Sequence, residues 1–445
     1  MTARLNPELI ARYGERNVPR YTSYPTAPHF AAADDDACYR DWLAALPAGE
    51  AVSLYVHVPF CRAMCWYCGC HTSVTRREAP VSRYVAALSR EIDLVSGLVG
   101  RGRKAAHLHF GGGTPTLIRP EEFTGLMDRL RERFLFGSDT EAAIEIDPRT
   151  LEPEMAEALG RGGITRASIG VQSFDPQVQA AINRLQSFAV TREAVERLRG
   201  AGIAAINFDL LYGLPFQTVA NCLETVEQAL VLRPDRLSLF GYAHVPSFKA
   251  HQRKIAADVL PASAERLAQF EAMAARLAAA GYEQIGLDHF ALPEDSMARA
   301  AAEGRLHRNF QGYTTDACPT LLGFGASSIG RLPQGFVQNA ATIPDYERRI
   351  ASGRLATVRQ CALSLEDRRR AALIERLMCD YRVDLSGADD LADEARLAPL
   401  AADGLIRRAG PVIEIVAEAR PLVRSVAAAF DAYLDAGTAR HARAV

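Results

Sequence analysis

The sequence predicts an α/β protein built on a parallel sheet of six β–α units, with a small, mostly helical domain over residues 361–445. Three observations predict it. Six short apolar runs alternate with amphipathic stretches of helical spacing between residues 52 and 242. Chemically distinctive residues gather at the C-terminal ends of those runs. The alternation then stops, and from Leu363 onward helical stretches mix with short apolar runs such as Val412-Ile-Glu-Ile-Val416.

The first strand is Val52–Val58, followed by a cysteine-rich loop. Val81–Val99 places Tyr84, Leu88, Ile92 and Leu98 at helical spacing and reads as an amphipathic helix. Ala106–Phe110 is the second strand; Gly111-Gly-Gly-Thr-Pro-Thr116 follows it, and a helix opens near Pro120. Ala143–Asp147, Ala167–Val171, Ile206–Leu211 and Leu237–Tyr242 continue the series, with helical stretches at Thr191–Ala201 and Thr218–Leu232 between them. Repeated β–α units fit a doubly wound sheet or a partial or full barrel. Cys61, Gly112, Glu145, Gln172, Asp209 and Ala243 with His244 all fall at or just after strand ends, which is where a β/α barrel gathers its active site. Glu366–Leu377 reads as the main helix of the C-terminal domain, and residues 1–35 as a polar, irregular segment that folds over the site as a cover.

Bulk properties narrow the function classes. Hydrophobic residues make up 49% and charged residues 23% of the 445 positions, ordinary for a globular protein. A net charge of −2 offers no electrostatic case for nucleic acid or membrane binding. No apolar run approaches the roughly 18 residues of a spanning helix, and Met1-Thr-Ala-Arg-Leu-Asn-Pro carries no apolar signal core. The expectation is a cytoplasmic monomer. Five of the nine cysteines (Cys38, Cys222, Cys318, Cys361 and Cys379) are scattered, and most of them read as small buried side chains.

The other four stand together in Cys61-Arg-Ala-Met-Cys65-Trp-Tyr-Cys68-Gly-Cys70. Length and the missing signal argue against a disulfide framework. Zinc sites usually pair two separated Cys or His couples, and no second couple exists here. The C-x3-C-x2-C spacing instead brings three thiolates to one face of a loop. Three thiolates leave one iron of a [4Fe–4S] cube open, since such cubes normally take four protein ligands. Tyr55, Pro59, Phe60, Trp66 and Tyr67 would shield such a cluster.

This segment resembles the radical S-adenosylmethionine (SAM) enzymes. With Pro19-Arg-Tyr-Thr-Ser-Tyr-Pro25, His109-Phe-Gly-Gly-Gly-Thr-Pro115 and His307-Arg-Asn-Phe-Gln-Gly-Tyr313, nearly the whole chain resembles the oxygen-independent coproporphyrinogen III oxidases. The resemblance implies a partial (β/α)6 radical-SAM barrel. It implies that Cys61, Cys65 and Cys68 hold the cluster and that SAM fills the open iron. Gly111, Gly112 and Gly113 would let backbone approach SAM closely. Tyr55 and Glu145 match positions contacting a first SAM. Tyr67, Gly113, Thr114, Gln172, Arg184, Asp209, Ala243 and Ile329 match positions around a second. Cys70 belongs to the family's C-x-C ending; it is either structural or acts in substrate or radical chemistry.

The implied reaction converts two propionates of coproporphyrinogen III to vinyls, giving protoporphyrinogen IX, with a flavodoxin- or ferredoxin-like electron donor and a separate acceptor. A four-carboxylate substrate needs cations and donors, and Arg20, Tyr21, His307, Arg308 and Asn309 are the candidates. The competing reading is a related haem chaperone; such relatives typically lack both the C-x-C ending and the Arg-Tyr-Thr-Ser-Tyr-Pro segment. The chain departs from the family's usual pattern at Trp66-Tyr67, at Phe110 and at Asp316-Ala-Cys-Pro-Thr320.

Overall fold

The computed structural model describes residues 7–434; residues 1–6 of the N-terminal segment and 435–445 of the C-terminal unit lie outside the described residues. Six strands run parallel and pair in chain order: β1 (Val52–Val58), β2 (Arg103–Gly112), β3 (Phe134–Ile146), β4 (Arg166–Gln172), β5 (Ala205–Tyr212) and β6 (Arg236–Gly241). Helices α1 (Ala79–Val99), α2 (Pro120–Arg133), α3 (Pro153–Arg161), α4 (Phe188–Gly200) and α5 (Val219–Val231) make the crossovers. The first three open on a proline in the first turn, where a missing N–H costs nothing. The Ser187 hydroxyl caps α4 by accepting from the Val190 amide, and Thr218 and Asn221 form a reciprocal cap on α5.

Along each strand the side chains alternate between two unlike surroundings. Leu54 and Val56 on β1, Leu108 and Phe110 on β2, and Ile206 and Phe208 on β5 are buried in the main apolar core, together with residues of the helices. Their neighbours Ser53, His107, His109, Glu145, Asn207 and Asp209 line a cavity of about 190 Å³ on the other face. The sheet is therefore greasy toward its helices and polar toward its concave side.

The sheet does not stop at six strands. After α6 (Ser263–Ala279), β7 (Glu283–Ile285) and β8 (His289–Ala291) extend one edge antiparallel beyond β6. A separate hairpin of β9 (His307–Asn309) and β10 (Gly312–Thr314) follows. On the other edge β11 (Leu321–Phe324) runs parallel to β1, and β12 (Ile329–Leu332), β13 (Gly335–Asn339), β14 (Thr357–Ala362) and the two-residue strand Ala31–Ala32 follow antiparallel. The end strands do not pair, so the thirteen-stranded sheet is an open, partial barrel. Buried Glu91 on α1 clamps the β1-side extension: its carboxylate accepts from the Gly325 amide (2.7 Å), Asn339 Nδ2 (2.6 Å) and the Tyr346 hydroxyl (2.8 Å).

The C-terminal unit begins after β14, which belongs to the large sheet. It holds α7 (Leu365–Asp380) and α8 (Glu394–Ala402), as expected of a helical unit, and adds an antiparallel sheet of β15 (Arg382–Asp384), β16 (Ile406–Ala409) and β17 (Val412–Ile415) in the order β15–β17–β16. The N-terminal segment is less polar in its packing than its composition suggests. Tyr13, Tyr21 and Tyr24 are at most 4% exposed and belong to the same apolar core as Leu377, Leu400 and Phe430 of the C-terminal unit. Aromatic rings spaced through a polar stretch bury well while their hydroxyls find partners: Tyr21 donates to Asp431, and the Tyr24 oxygen accepts from the Ala432 N–H.

Candidate active site

The cysteine loop leaves the C-terminal end of β1. Phe60–Cys61 pairs with Ser73–Val74, so the loop closes on its own stem. Its remaining polar backbone is held from outside: Cys68 O meets His251 Nε2 at 2.7 Å, Cys70 O accepts from Lys249 Nζ at 3.0 Å, Tyr67 O from Gln252 Nε2 at 2.9 Å, and Met64 O from Asn183 Nδ2 at 2.8 Å.

The sulfurs face donors. Arg149 Nη2 and Arg184 Nη1 each donate to Cys65 Sγ at 3.5 Å, Thr114 Oγ1 donates to Cys61 Sγ at 3.6 Å, and the Cys70 amide to Cys68 Sγ at 3.4 Å. Burial pushes the Cys61 thiol up to about 11. The hydrogen bond from Cys70 pulls Cys68 down to about 6 and raises Cys70 itself. Among the described residues no three His, Cys, Asp or Glu side chains converge closely enough to chelate one metal ion; a cube takes each thiolate at a separate iron, so its ligands need not converge as those of one ion must. Three soft sulfurs met by hydroxyl, amide and guanidinium donors suit an anionic thiolate cluster, whose potential such donors tune.

The glycine run is also packed closely by the protein itself. A Cβ on Gly113 would lie 2.5 Å from Phe60 O, and one on Gly112 2.5 Å from the His57 ring. Gly112 also has φ +114°, a conformation closed to most side chains. The glycines let the end of β2 press against the stem of the cysteine loop. The Gly113 amide donates to Val58 O and the Thr114 amide to Phe60 O.

On the concave rim beside them Tyr55, His57, His109 and Glu145 form one network. Glu145 accepts from the Gly112 amide at 3.0 Å and meets His109 Nε2 at 3.3 Å. Burial opposes its charge, but His109 and the Gly112 amide outweigh burial and hold the carboxyl below its usual range. Burial drives His57 down to about 4, so its imidazole is neutral. Its Nε2 faces the His71 carbonyl at 3.1 Å, which only accepts; Nε2 therefore carries the proton and Nδ1 accepts from the Tyr55 hydroxyl at 3.0 Å.

The residues matched to a second SAM fall in two groups. Tyr67, Thr114, Gln172 and Arg184 surround the cysteine loop and the β4 end. Arg184 donates to Gly170 O at 2.7 Å and approaches Asp147 at 3.5 Å, while its buried Nε has no partner. Gln172 is held at φ +69° by an irregular register between β4 and β5. Asp209 accepts from the Ser168 hydroxyl at 3.0 Å, and burial and then Glu145 raise its carboxyl. Ala243 lies after β6, its carbonyl bonded to Gln252. Ile329 stands apart on β12, at the opposite flank of the sheet.

A cavity of about 710 Å³ opens next to the β5 and β6 ends, where the main sheet, the β9–β10 hairpin, the N-terminal segment and the C-terminal unit meet. Arg20, Arg266, Arg308 and Arg424 line it with His244 and His289, against one carboxylate, Asp288. Arg308 lies over the Tyr313 ring (4.4 Å to its centroid), gives Nη2 to Arg20 O at 3.3 Å, and keeps buried Nε and Nη1 without partners. Arg424 is 6% exposed; it donates to the Pro19 and Val18 carbonyls, and burial with the charges of Arg20 and Arg308 drives it down to about 9.

Two of the expected substrate residues are turned elsewhere. Tyr21 points into the C-terminal core, and His307 Nδ1 meets Glu375 on α7 at 3.3 Å. Neighbours in extended chain point to opposite sides, so on β9 Arg308 reaches the cavity while His307 does not; at Tyr21 a left-handed backbone, φ +48°, turns the ring away from the cavity that Arg20 lines. Asn309 lines the smaller cavity with Asp316. Reasoning from sequence missed Arg149, Arg266 and Arg424. For Arg424 a signal existed: a cation inside the apolar run Leu422-Val-Arg-Ser-Val-Ala427 needs a buried purpose.

Residues 55–229 match the model of the Radical SAM superfamily, the class that the open barrel and its three-cysteine loop define. The relatives narrow it. Oxygen-independent coproporphyrinogen III oxidase of Bradyrhizobium diazoefficiens is 54% identical over 99% of this chain and 100% of its own. Its namesake from Pseudomonas aeruginosa is 42% identical over 97% of each. The solved coproporphyrinogen III oxidase of Escherichia coli, described as a radical SAM enzyme, superposes with a TM-score of 0.91 at 38% identity, covering 98% of this chain and 100% of that one. This chain belongs to the oxygen-independent coproporphyrinogen III oxidase family. Membership implies a [4Fe–4S] cluster on three cysteines and SAM.

Proposed function

We propose that this protein converts coproporphyrinogen III to protoporphyrinogen IX by oxidative decarboxylation of two propionates, in anaerobic haem biosynthesis. The observation that carries the reading is the arginine-lined cavity reached from the same barrel rim as the three-cysteine loop. A haem chaperone is the weaker reading, because the full-length relatives carry the oxidase name.

Cys61, Cys65 and Cys68 are the ligands for the cube, with Arg149, Arg184 and Thr114 steadying the sulfurs. Held there by Cys61, Cys65 and Cys68, a cluster with SAM would supply one-electron reductive chemistry able to remove a hydrogen atom from the propionate β-carbon. The carboxylate carbon then leaves as CO2 and one electron passes to an acceptor, leaving the vinyl group.

The chain's own groups position the partners. Glu145, held ionised, is placed for the SAM ammonium, with Tyr55 and neutral His57 beside it. Arg184, with its unpartnered Nε, and Asp209 suit the carboxylate and ribose hydroxyls of a second SAM. Arg308 offers two unpartnered N–H groups to a propionate, with Arg20, Arg266 and Arg424 around it. Cys70 steadies the cluster loop through its amide, which donates to Cys68 Sγ. The working form is a cytoplasmic monomer fed by a flavodoxin- or ferredoxin-like donor; among the described residues no helix is long and apolar enough to cross a membrane.

An anaerobic assay of the iron-reconstituted protein with coproporphyrinogen III, SAM and a reductant tests this. Protoporphyrinogen IX, two CO2 and two deoxyadenosines per turnover are expected. SAM cleavage without tetrapyrrole product would overturn the substrate, and haem binding with neither would restore the chaperone.

A further inference from the structure

Charge is unevenly spread over this nearly neutral chain. The sequence has 53 acids in 445 residues, yet no Asp or Glu occurs between Glu50 and Glu78, between Asp175 and Glu193, or between Asp235 and Asp258. These three stretches are the ones that build and hold the cysteine loop. The first contains it, the second gives Asn183 to Met64 O and Arg184 to Cys65, and the third gives His251, Lys249 and Gln252 to the loop carbonyls. Their surface is basic: Arg76, Arg77, Arg253 and Lys254 are exposed, and Arg62 and Lys249 are half-buried.

The same stretches expose grease. Eight large apolar side chains are exposed among the described residues, and three of them are Val74 (48%), Leu185 (72%) and Phe248 (63%). Val74 pairs with Cys61, Leu185 follows the arginine on Cys65, and Phe248 precedes the lysine on Cys70. Apolar residues ringed by one sign of charge mark a binding surface rather than plain solvation.

We infer that this basic, apolar-centred surface over the cysteine loop docks an acidic one-electron carrier protein that reduces the cluster. The inference rests on the reading that Cys61, Cys65 and Cys68 hold that cluster. Electron transfer needs the two redox groups close together, and these stretches touch the loop directly: Lys254 lies 5.2 Å from the Trp66 ring centroid, Lys249 reaches Cys70 O and Arg184 reaches Cys65 Sγ. Small, electrostatically steered contacts are usual for transient redox pairs. None of Val74, Arg76, Leu185, Phe248, Arg253 and Lys254 lines either cavity, so a carrier here leaves both free.

The test compares the reconstituted protein with Arg253→Glu/Lys254→Glu and Phe248→Ser variants, using an acidic flavodoxin as probe. Binding is read by titration at several salt concentrations, and cluster reduction by loss of its visible absorption with reduced flavodoxin or with dithionite. The double charge reversal is expected to weaken flavodoxin binding by about tenfold or more and to flatten its salt dependence. Reduction by flavodoxin slows with it, while reduction by dithionite does not change. Phe248→Ser is expected to weaken binding without changing the salt slope. Arg382→Glu/Arg407→Glu, the same charge change on exposed residues of the C-terminal unit, leaves binding intact. Equal binding by all forms, or equal loss with the C-terminal variant, overturns the docking site. A wild-type protein that binds flavodoxin through these residues but assembles no cluster would instead overturn the cluster reading.

Discussion

The cysteine loop and the arginine cavity lie near one rim yet are assembled in opposite ways. The loop's three sulfurs fall within eight residues of sequence, Cys61 to Cys68, and its outside supports mostly reach backbone carbonyls. The cavity's four arginines come from positions 20, 266, 308 and 424, and it exists only where the N-terminal segment, the sheet, a hairpin and the C-terminal unit meet. Chemistry shared by many enzymes is carried on one contiguous, transplantable segment; recognition of one substrate is spread over the whole chain.

That contrast can be broken or sharpened by experiment. The largest effect is expected from Cys65→Ser: iron–sulfur absorption is lost and turnover falls below detection, with thermal unfolding little changed. A variant that kept both would remove the loop from the comparison. Next, Arg308→Met is expected to lower kcat/KM about 10- to 100-fold, the loss of one charged hydrogen-bond pair, while the cluster spectrum stays as it was. An unchanged kcat/KM would take Arg308 out of the cavity's chemistry.

Scaffold residues should separate from both. Burial raises Glu91 from 4.5 to about 7, against the lowering by its Gly325, Tyr346 and Asn339 hydrogen bonds. A folded-state pKa above the unfolded one means the native state holds more protons between pH 4.5 and 7. Stability is therefore expected to fall by about 3 kcal/mol as pH rises through that window. Denaturant titrations at pH 5 and pH 8 measure it, and Glu91→Gln should remove most of the slope. The smallest effect is expected from Tyr21→Phe: about 1.5–3 kcal/mol of stability from its bond to Asp431, with steady-state kinetics untouched. A raised KM at full stability would return Tyr21 to the substrate.

Sequence reading reached the loop, Glu145 and Asp209 because each is local: a spacing of thiols, or an acid at the end of a period-two strand. It placed all six parallel strands for the same reason. It did not reach β11 to β14, whose short runs sit far along the chain from the β1 edge they extend. It paired Arg20 with Tyr21 and His307 with Arg308 because motif neighbours look alike in a string, whereas an extended strand separates the second pair and a left-handed turn at Tyr21 the first. Arg424 and Arg266 carry no motif at all; only the closing of distant segments gives them a common purpose.

Arg424 also ties the two ends of the polypeptide together, since its guanidinium holds the Val18 and Pro19 carbonyls across more than four hundred residues. During synthesis the iron site is therefore complete long before the tetrapyrrole site. A nascent chain stopped short of residue 424 already carries every cluster cysteine but lacks the guanidinium that holds the Val18 and Pro19 carbonyls. In the order of manufacture Arg424, made long after the cysteines, closes the vessel late.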